Sequence, residues 1–111
     1  MPLRLRSTSV ILCATLALAS LAGSMPAFAK DVTITITNFA FSPSTMTIAA
    51  GDTVNFVNGD DTIHSVIADD GSFHSDGLDT NDKFSFTFAK AGKFDYHCGL
   101  HPFMKGEIVV Q

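Results

Sequence analysis

The sequence contains little cysteine. Only two cysteines, Cys13 and Cys98, occur among its 111 residues. Cys13 lies in an apolar N-terminal run that we predict to be removed, so Cys98 would stand alone and no internal disulfide could form. An odd cysteine in an exported protein usually makes an intermolecular bridge, is a reactive thiol or binds a metal.

Basic residues are also scarce. Seven Lys and Arg residues stand against eleven Asp and Glu residues, and both arginines, Arg4 and Arg6, lie near the N-terminus. From Lys30 onwards, five Lys against eleven acidic residues give a formal charge of 5 − 11 = −6. We therefore expect neither nucleic acid nor an anionic membrane surface as a partner.

A long hydrophobic run is missing as well. The apolar run over residues 10–22 is shorter than the about 20 residues that a transmembrane helix needs. It lies between two arginines and an Ala-Phe-Ala cleavage site, which is typical of a secretory signal peptide. We predict a signal peptide over residues 1–29 and one small domain over residues 30–111, with no membrane span after cleavage.

Helical periodicity is absent over any useful length. Apolar and polar residues alternate instead, as in Val32, Ile34 and Ile36, which predicts half-buried strands. The strands are predicted over residues 32–37, 46–48, 53–58, 62–68, 84–88, 94–98 and 106–110, with an irregular connection over 38–43 and a loosely structured loop over 69–82. This order favours an all-β fold, a Greek-key antiparallel β-sandwich of seven to eight strands.

The C-terminal part of the chain is rich in metal-binding side chains. Cys98, His101 and Met104 occur within seven residues, at Cys-x2-His-x2-Met spacing. A thiolate, an imidazole and a weak thioether are ligands of blue-copper electron-transfer sites, which also need a second histidine. The best candidate is His64, which follows a polar turn in a β-rich segment.

Strand alternation separates the remaining histidines from this set. Cys98 falls on the face that we expect to be buried, whereas His97 falls on the solvent-facing side. His74 lies in the polar loop, where we expect a surface residue. A second metal site that combines His74 with Asp69, Asp70 or Asp76 is the less favoured alternative.

These residues resemble the cupredoxins, specifically the small amicyanin-like and plastocyanin-like members. The resemblance covers essentially the whole mature chain. The spacing on both sides of His101 looks most like amicyanin, because plastocyanin-type loops have more residues between His and Met. The resemblance rests on the segments Phe41-x-Pro43, Ala50-Gly51-Asp52-Thr53-Val54, Asn58-x-Asp60, His64 with Val66, Phe86-x-Phe88, Ala91-Gly92-Lys93-Phe94, and Tyr96-His97-Cys98 through Gly106.

The resemblance implies a function and a ligand set. His64, Cys98 and His101 would form the trigonal plane of one type 1 copper ion, with Met104 as the weak axial contact. The protein would be a periplasmic one-electron carrier rather than an enzyme, and we expect a monomer. Redox partners such as a c-type cytochrome or a dehydrogenase would dock transiently near His101, Pro102 and Phe103.

Two positions depart from the family pattern. Amicyanins and plastocyanins usually have Asn after the upstream His and a hydroxyl residue after the Cys, and these side chains tie the two ligand loops together. Here the two positions are Ser65 and Gly99. The hydrogen bonds around the Cys98 sulfur are therefore expected to differ. Leu100 stands where Pro is common in amicyanins.

Two other functions compete with electron transfer. A periplasmic copper chaperone or storage protein would use the same soft ligands without fast redox cycling. A cysteine nucleophile activated by His97 or His101 would make the protein an enzyme, but it leaves Met104 unexplained.

Overall fold

The computed structural model describes residues 28–111, which form eight strands. The predicted signal peptide lies outside this part of the chain except for residues 28 and 29. Within the described residues, no helix is long and apolar enough to cross a membrane. The strands are β1 (Asp31–Thr37), β2 (Ala40–Ser42), β3 (Thr45–Ile48), β4 (Thr53–Asn58), β5 (Ile67–Ala68), β6 (Lys83–Thr87), β7 (Gly92–His97) and β8 (Lys105–Val110).

The strands build two four-stranded sheets, with the orders β2-β1-β4-β6 and β3-β8-β7-β5. The predicted all-β sandwich is thereby confirmed. The sheets are mixed rather than purely antiparallel, since β1 pairs parallel with β4 and β3 pairs parallel with β8. Alternation reports which face of a strand is buried but not the direction of its neighbour, so the sequence pattern left this point undetermined.

The core lies between the two sheets and is rich in aromatic rings. Phe56 from the first sheet contacts Tyr96 from the second, with ring centroids 5.3 Å apart. The predicted aromatic face of β6 is present, because Phe84 and Phe86 pack against the core while Ser85 is exposed. The packed sheets form the rigid frame from which the connecting loops project.

The predicted strand over residues 62–68 is mostly a loop. Only β5 at its end is regular, and His64 forms an isolated bridge with Leu78. The buried Asn58 side chain explains the interruption, because its amide donates to the carbonyl oxygens of Thr62 (2.8 Å) and Leu78 (2.7 Å). These bonds take the place of a regular strand ladder.

The segment over residues 69–82 is better fixed than its polar composition predicts. Phe73 and Leu78 are both buried in the core. The Ala68 N–H donates to the Phe73 carbonyl at 2.9 Å, and the Ser75 N–H donates to the Val66 carbonyl at 2.8 Å. Two buried apolar side chains are enough to anchor a segment made mainly of turn residues.

The predicted irregular connection over 38–43 likewise contains the short strand β2, which pairs with β1.

Two loops meet at one end of this frame. The first leaves β4 in one sheet and reaches β5 in the other, and it carries His64. The second joins β7 to β8 and carries Cys98, His101 and Met104. Because β7 and β8 are paired up to His97 and Lys105, the ends of the second loop are held close together.

Candidate metal centre

Three of the predicted ligands converge where the two loops meet. The Nδ1 atoms of His64 and His101 each lie 3.7 Å from the Cys98 sulfur. All three donor atoms lie within 4.8 Å of one another, and this is the only such group of His, Cys, Asp or Glu side chains within residues 28–111. No group of three such side chains includes His74 within residues 28–111.

The spacing and chemistry of these donors fit a single metal ion. With bonds of about 2.1 Å to nitrogen and 2.3 Å to sulfur, as in zinc sites, donors in a trigonal plane lie about 3.7 Å apart. Both imidazoles present Nδ1 to the sulfur. Two imidazoles and one thiolate are a favoured ligand set for copper. The residues present thus fit a copper ion.

The donors differ in their exposure to solvent. Cys98 and His64 are completely buried, and Met104 is 2% exposed. His101 is half-buried, which makes its imidazole the most accessible of the four predicted ligands. Two backbone bonds close the loop, from the Cys98 N–H to the Met104 carbonyl (3.0 Å) and from the Met104 N–H to the His101 carbonyl (2.9 Å). Met104 is therefore fixed within the same short loop.

Asp60 orients His64 and was not singled out from the sequence as part of the site. Its Oδ2 lies 2.8 Å from His64 Nε2. An ionised carboxylate only accepts hydrogen bonds, so the imidazole donates from Nε2. In a neutral imidazole that donates from Nε2, the lone pair is on Nδ1, the atom that faces Cys98. The backbone N–H of Phe39 is the main cause of a lowered pKa of Asp60, and the bond with His64 lowers it further.

Phe39 is the second site residue that the sequence did not reveal. Its ring stands edge-on to both imidazoles, with centroids 5.2 Å from His64 and 5.1 Å from His101. Asn38 and Phe39 adopt positive φ values of 52° and 57°. Such conformations cost on the order of 1–3 kcal/mol each for residues other than glycine and persist only where the surroundings hold them. No local pattern around Phe39 distinguishes it from an ordinary turn residue.

Ser65 and Gly99 tie the two loops together. The Gly99 N–H donates to Ser65 Oγ at 2.9 Å, and the Ser65 N–H donates to the Cys98 sulfur at 3.4 Å. A Cβ at position 99 would lie 2.8 Å from Ser65 Oγ and 3.2 Å from Ile67 Cγ1. The present position of the Ser65 hydroxyl, which accepts this backbone hydrogen bond, therefore suits a glycine at position 99. The two departures from the family pattern complement each other.

His97 lies outside this group, as strand alternation predicts. Its side chain is 30% exposed, and its Nδ1 lies 2.7 Å from Asp69 Oδ1. Asp69 is itself exposed. The pair therefore belongs to the outer surface of the second sheet rather than to the metal centre.

Comparisons with known proteins agree with this geometry. A family model described as a cupredoxin-like domain matches residues 8–110. Amicyanin from Paracoccus versutus is 34% identical over 88 residues, covering 75% of this chain and 67% of that protein. Amicyanin-alpha from Methylorubrum extorquens is 31% identical over 103 residues, covering 88% of this chain and 87% of that protein. Chloroplastic plastocyanin from Chlamydomonas reinhardtii is 33% identical over 84 residues, covering 64% and 58%.

Solved structures show the same relationship. An oxidized amicyanin variant superposes with a TM-score of 0.69 at 28% identity, covering 72% of this chain and 81% of that one. A copper-containing nitrite reductase from Thermus scotoductus also gives a TM-score of 0.69, at 32% identity, but the match covers 73% of this chain and only 22% of the reductase. With its fold, its two-histidine and cysteine cluster and these relatives, the chain belongs to the cupredoxin-like domain family, among proteins similar to amicyanin and plastocyanin.

Proposed function

We propose that this protein is a blue-copper one-electron carrier in which His64, Cys98 and His101 would bind the copper and Met104 would be a fourth, weaker donor. The observation that carries the proposal is the convergence of two Nδ1 atoms on one buried sulfur at 3.7 Å. Copper, when bound, supplies a one-electron redox couple. The names of the relatives, amicyanin and plastocyanin, point to the same kind of protein.

The role of the chain is to hold the donors in one arrangement. His64 is fixed at Nε2 by Asp60, and the Cys98 sulfur accepts the Ser65 N–H. The loop with the other donors is closed by its own backbone hydrogen bonds. Ligands that move little between oxidation states favour fast electron exchange. No general acid or base and no substrate pocket is required for this reaction.

The burial of Cys98 argues against a cysteine enzyme. A nucleophile must reach its substrate, and the Cys98 side chain is 0% exposed. The nitrite reductase similarity concerns 22% of that enzyme, so it supports a shared domain rather than a shared reaction. We therefore favour a carrier that is not an enzyme.

The same burial makes copper storage or delivery the weaker alternative. A protein that hands copper to a partner benefits from soft donors at its surface. Here Cys98 and Met104 are buried, and Met46 is half-buried and packs against the core. Within residues 28–111, His101 is the one half-buried donor of the proposed set. This arrangement suits electron exchange through an imidazole edge better than ligand exchange.

The surface around His101 suits a transient redox partner. Leu100 and Phe103 flank it in the loop and are 56% and 71% exposed, and the contacting ring of Phe39 is 43% exposed. Exposed apolar side chains grouped around one imidazole are typical of an interaction site, and weak electron-transfer interfaces are small. We propose that a c-type cytochrome or a dehydrogenase docks here with an apolar rim around its own redox centre.

Export to the periplasm by a cleaved leader is part of the proposal. Lys30 precedes β1, and its backbone nitrogen donates to Asp52 Oδ1 at 2.9 Å. Cleavage after Ala29 would turn this nitrogen into an α-ammonium group, and the contact would become a charge-assisted hydrogen bond. Asp52 Oδ2 also accepts the Ala49 N–H at 2.9 Å, so the carboxylate is already in place for the new terminus.

The leader prediction can be checked by mass spectrometry of the exported protein. We expect a mature chain that begins at Lys30. Asp52→Asn should lower the stability of this mature chain more than that of a variant in which an extra Ala precedes Lys30, because the extension displaces the ammonium group. A mature chain that begins elsewhere, or equal effects in both backgrounds, would contradict the proposed contact.

The ligand assignment predicts the loss of a visible colour in one variant. The copper-loaded domain should show an intense thiolate-to-copper charge-transfer band and a type 1 electron paramagnetic resonance spectrum, and Cys98→Ser should lack both, because an alcohol is a far weaker donor. Circular dichroism of the metal-free variant verifies folding. Absence of the band from the wild-type protein would rule out the proposed function.

The link between Ser65 and Gly99 predicts coupled effects on stability. Ser65→Ala should lower the unfolding free energy of the metal-free domain by about 1 kcal/mol, because the Gly99 N–H loses its acceptor. Gly99→Ala should cost about 1–3 kcal/mol through overlap with Ser65 Oγ. In the double variant the overlap with Ser65 Oγ is absent. Its decrease in unfolding free energy should therefore be smaller than the sum of the decreases in the two single variants. Additive losses in chemical denaturation would argue against the link.

The docking surface predicts a kinetic effect without a change of the metal centre. Phe103→Ala should slow the second-order rate of electron exchange with a c-type cytochrome by about tenfold, equivalent to 1.4 kcal/mol, because it removes apolar contact area. The reduction potential should stay unchanged. Thr33→Ala, at an exposed position in β1, serves as the control. An equal slowing by both variants would place the docking surface elsewhere.

A further inference from the structure

One carboxylate connects a buried histidine to an exposed aromatic ring. Asp60 Oδ2 lies 2.8 Å from His64 Nε2 and also accepts the Phe39 N–H at 3.0 Å. Its other oxygen, Oδ1, accepts the Asn38 N–H at 2.7 Å. Both oxygens of Asp60 are thus used to join the loop before His64 to the turn after β1.

Asp60 is itself held firmly in position. Its backbone N–H donates to the side-chain oxygen of Asn58 at 2.9 Å, and its carbonyl oxygen accepts the Thr80 hydroxyl at 2.7 Å. Asn58 is completely buried. The carboxylate therefore acts from a fixed point of the frame rather than from a mobile surface loop.

The Phe39 ring spans the two loops that carry the donors. It meets His64 and His101 at interplanar angles of 89°, and the two imidazoles are themselves only 5.1 Å apart. His64 is 0% exposed, whereas Phe39 is 43% exposed. The Phe39 ring thus contacts His64 and lies between this buried imidazole and solvent.

The backbone of this turn is hydrogen-bonded to Asp60 at two strained positions. Asn38 and Phe39 have φ values of 52° and 57°. A left-handed conformation is rare for a bulky side chain such as Phe and marks a position that its surroundings constrain. Both strained residues donate their N–H groups to the same carboxylate. Removal of that carboxylate would take away both hydrogen bonds to the turn.

We propose that Asp60 and Phe39 form a cap on the metal centre, in which Asp60 holds the Phe39 ring over His64 and His101 and the ring shields them from water and competing ligands. This inference rests on the proposed function, since it treats both histidines as copper ligands. Asp60 and Phe39 are positioning residues: neither is assigned as a ligand, and both act through the histidines that they contact.

The rate of copper removal tests the cap. Copper-loaded wild-type and variant domains are mixed with excess EDTA, and the decay of the charge-transfer band is followed. Phe39→Ala should release copper about tenfold faster, as expected for loss of a group that supports metal ligands. Phe39→Tyr keeps the ring and should restore slow release. Thr33→Ala, at an exposed position in β1 outside both ligand loops, serves as the control and should release copper at the wild-type rate.

A double-mutant cycle tests whether the two residues act as one unit. Asp60→Ala should release copper at least as fast as Phe39→Ala, because it frees the ring and also removes the partner of His64 Nε2. Once Asp60 is gone, removal of the ring should add little, so the double variant should match Asp60→Ala alone. Fully additive effects, or equal acceleration by Thr33→Ala, would overturn the cap.

A measurement on the metal-free protein makes the test independent of copper. The Phe39 amide should be protected from hydrogen exchange with solvent in the wild-type domain and should lose protection in Asp60→Ala, while amides in β4 remain protected. If the wild-type protein shows no charge-transfer band, the proposed function fails. If it shows the band but Phe39→Ala releases copper at the wild-type rate, only the cap fails.

Discussion

The meeting of two loops at one buried sulfur is the constraint on which the rest of this structure depends. The first loop crosses from one sheet to the other and brings His64, and the second joins paired strands and brings Cys98. They can approach closely because Gly99 has no side chain and its N–H is accepted by Ser65 Oγ. A Cβ at position 99 would lie 2.8 Å from Ser65 Oγ, so the serine hydroxyl or the loop would have to shift.

The core of the sandwich and the hydrogen bonds of the site have different roles. The aromatic core keeps the two sheets in fixed relation, and the loops gain their order from that frame. Hydrogen bonds then hold the donors in position. Asp60 Oδ2 bonds to His64 Nε2, and the Ser65 N–H donates to the Cys98 sulfur. Donors that hydrogen bonds and packing hold in place need little rearrangement when the oxidation state of a bound metal changes. This property separates an electron carrier from a protein that must open to exchange its metal.

The predicted ligands differ in their exposure to solvent. Cys98 and His64 are closed off, whereas His101 is half-buried and has exposed apolar neighbours. In the proposed function, electron exchange and partner contact would use the same small surface. The Phe39 ring is 43% exposed and contacts both imidazoles, so the proposed cap and the proposed docking surface would share one side chain.

Much of the architecture is determined by local sequence. Alternation of apolar and polar residues was enough to predict most strands, and the spacing around Cys98 identified donors that the structure brings together with His64. Periodicity records the burial of each residue, but it does not record which distant groups meet. Tertiary structure alone decided the parallel strand pairs, the anchoring of the polar loop by Phe73, the bonds from Asp60 to the Phe39 turn and the match between Ser65 and Gly99. Each of these depends on contacts between segments far apart in the chain, where a single hydrogen bond or a missing Cβ leaves no local pattern.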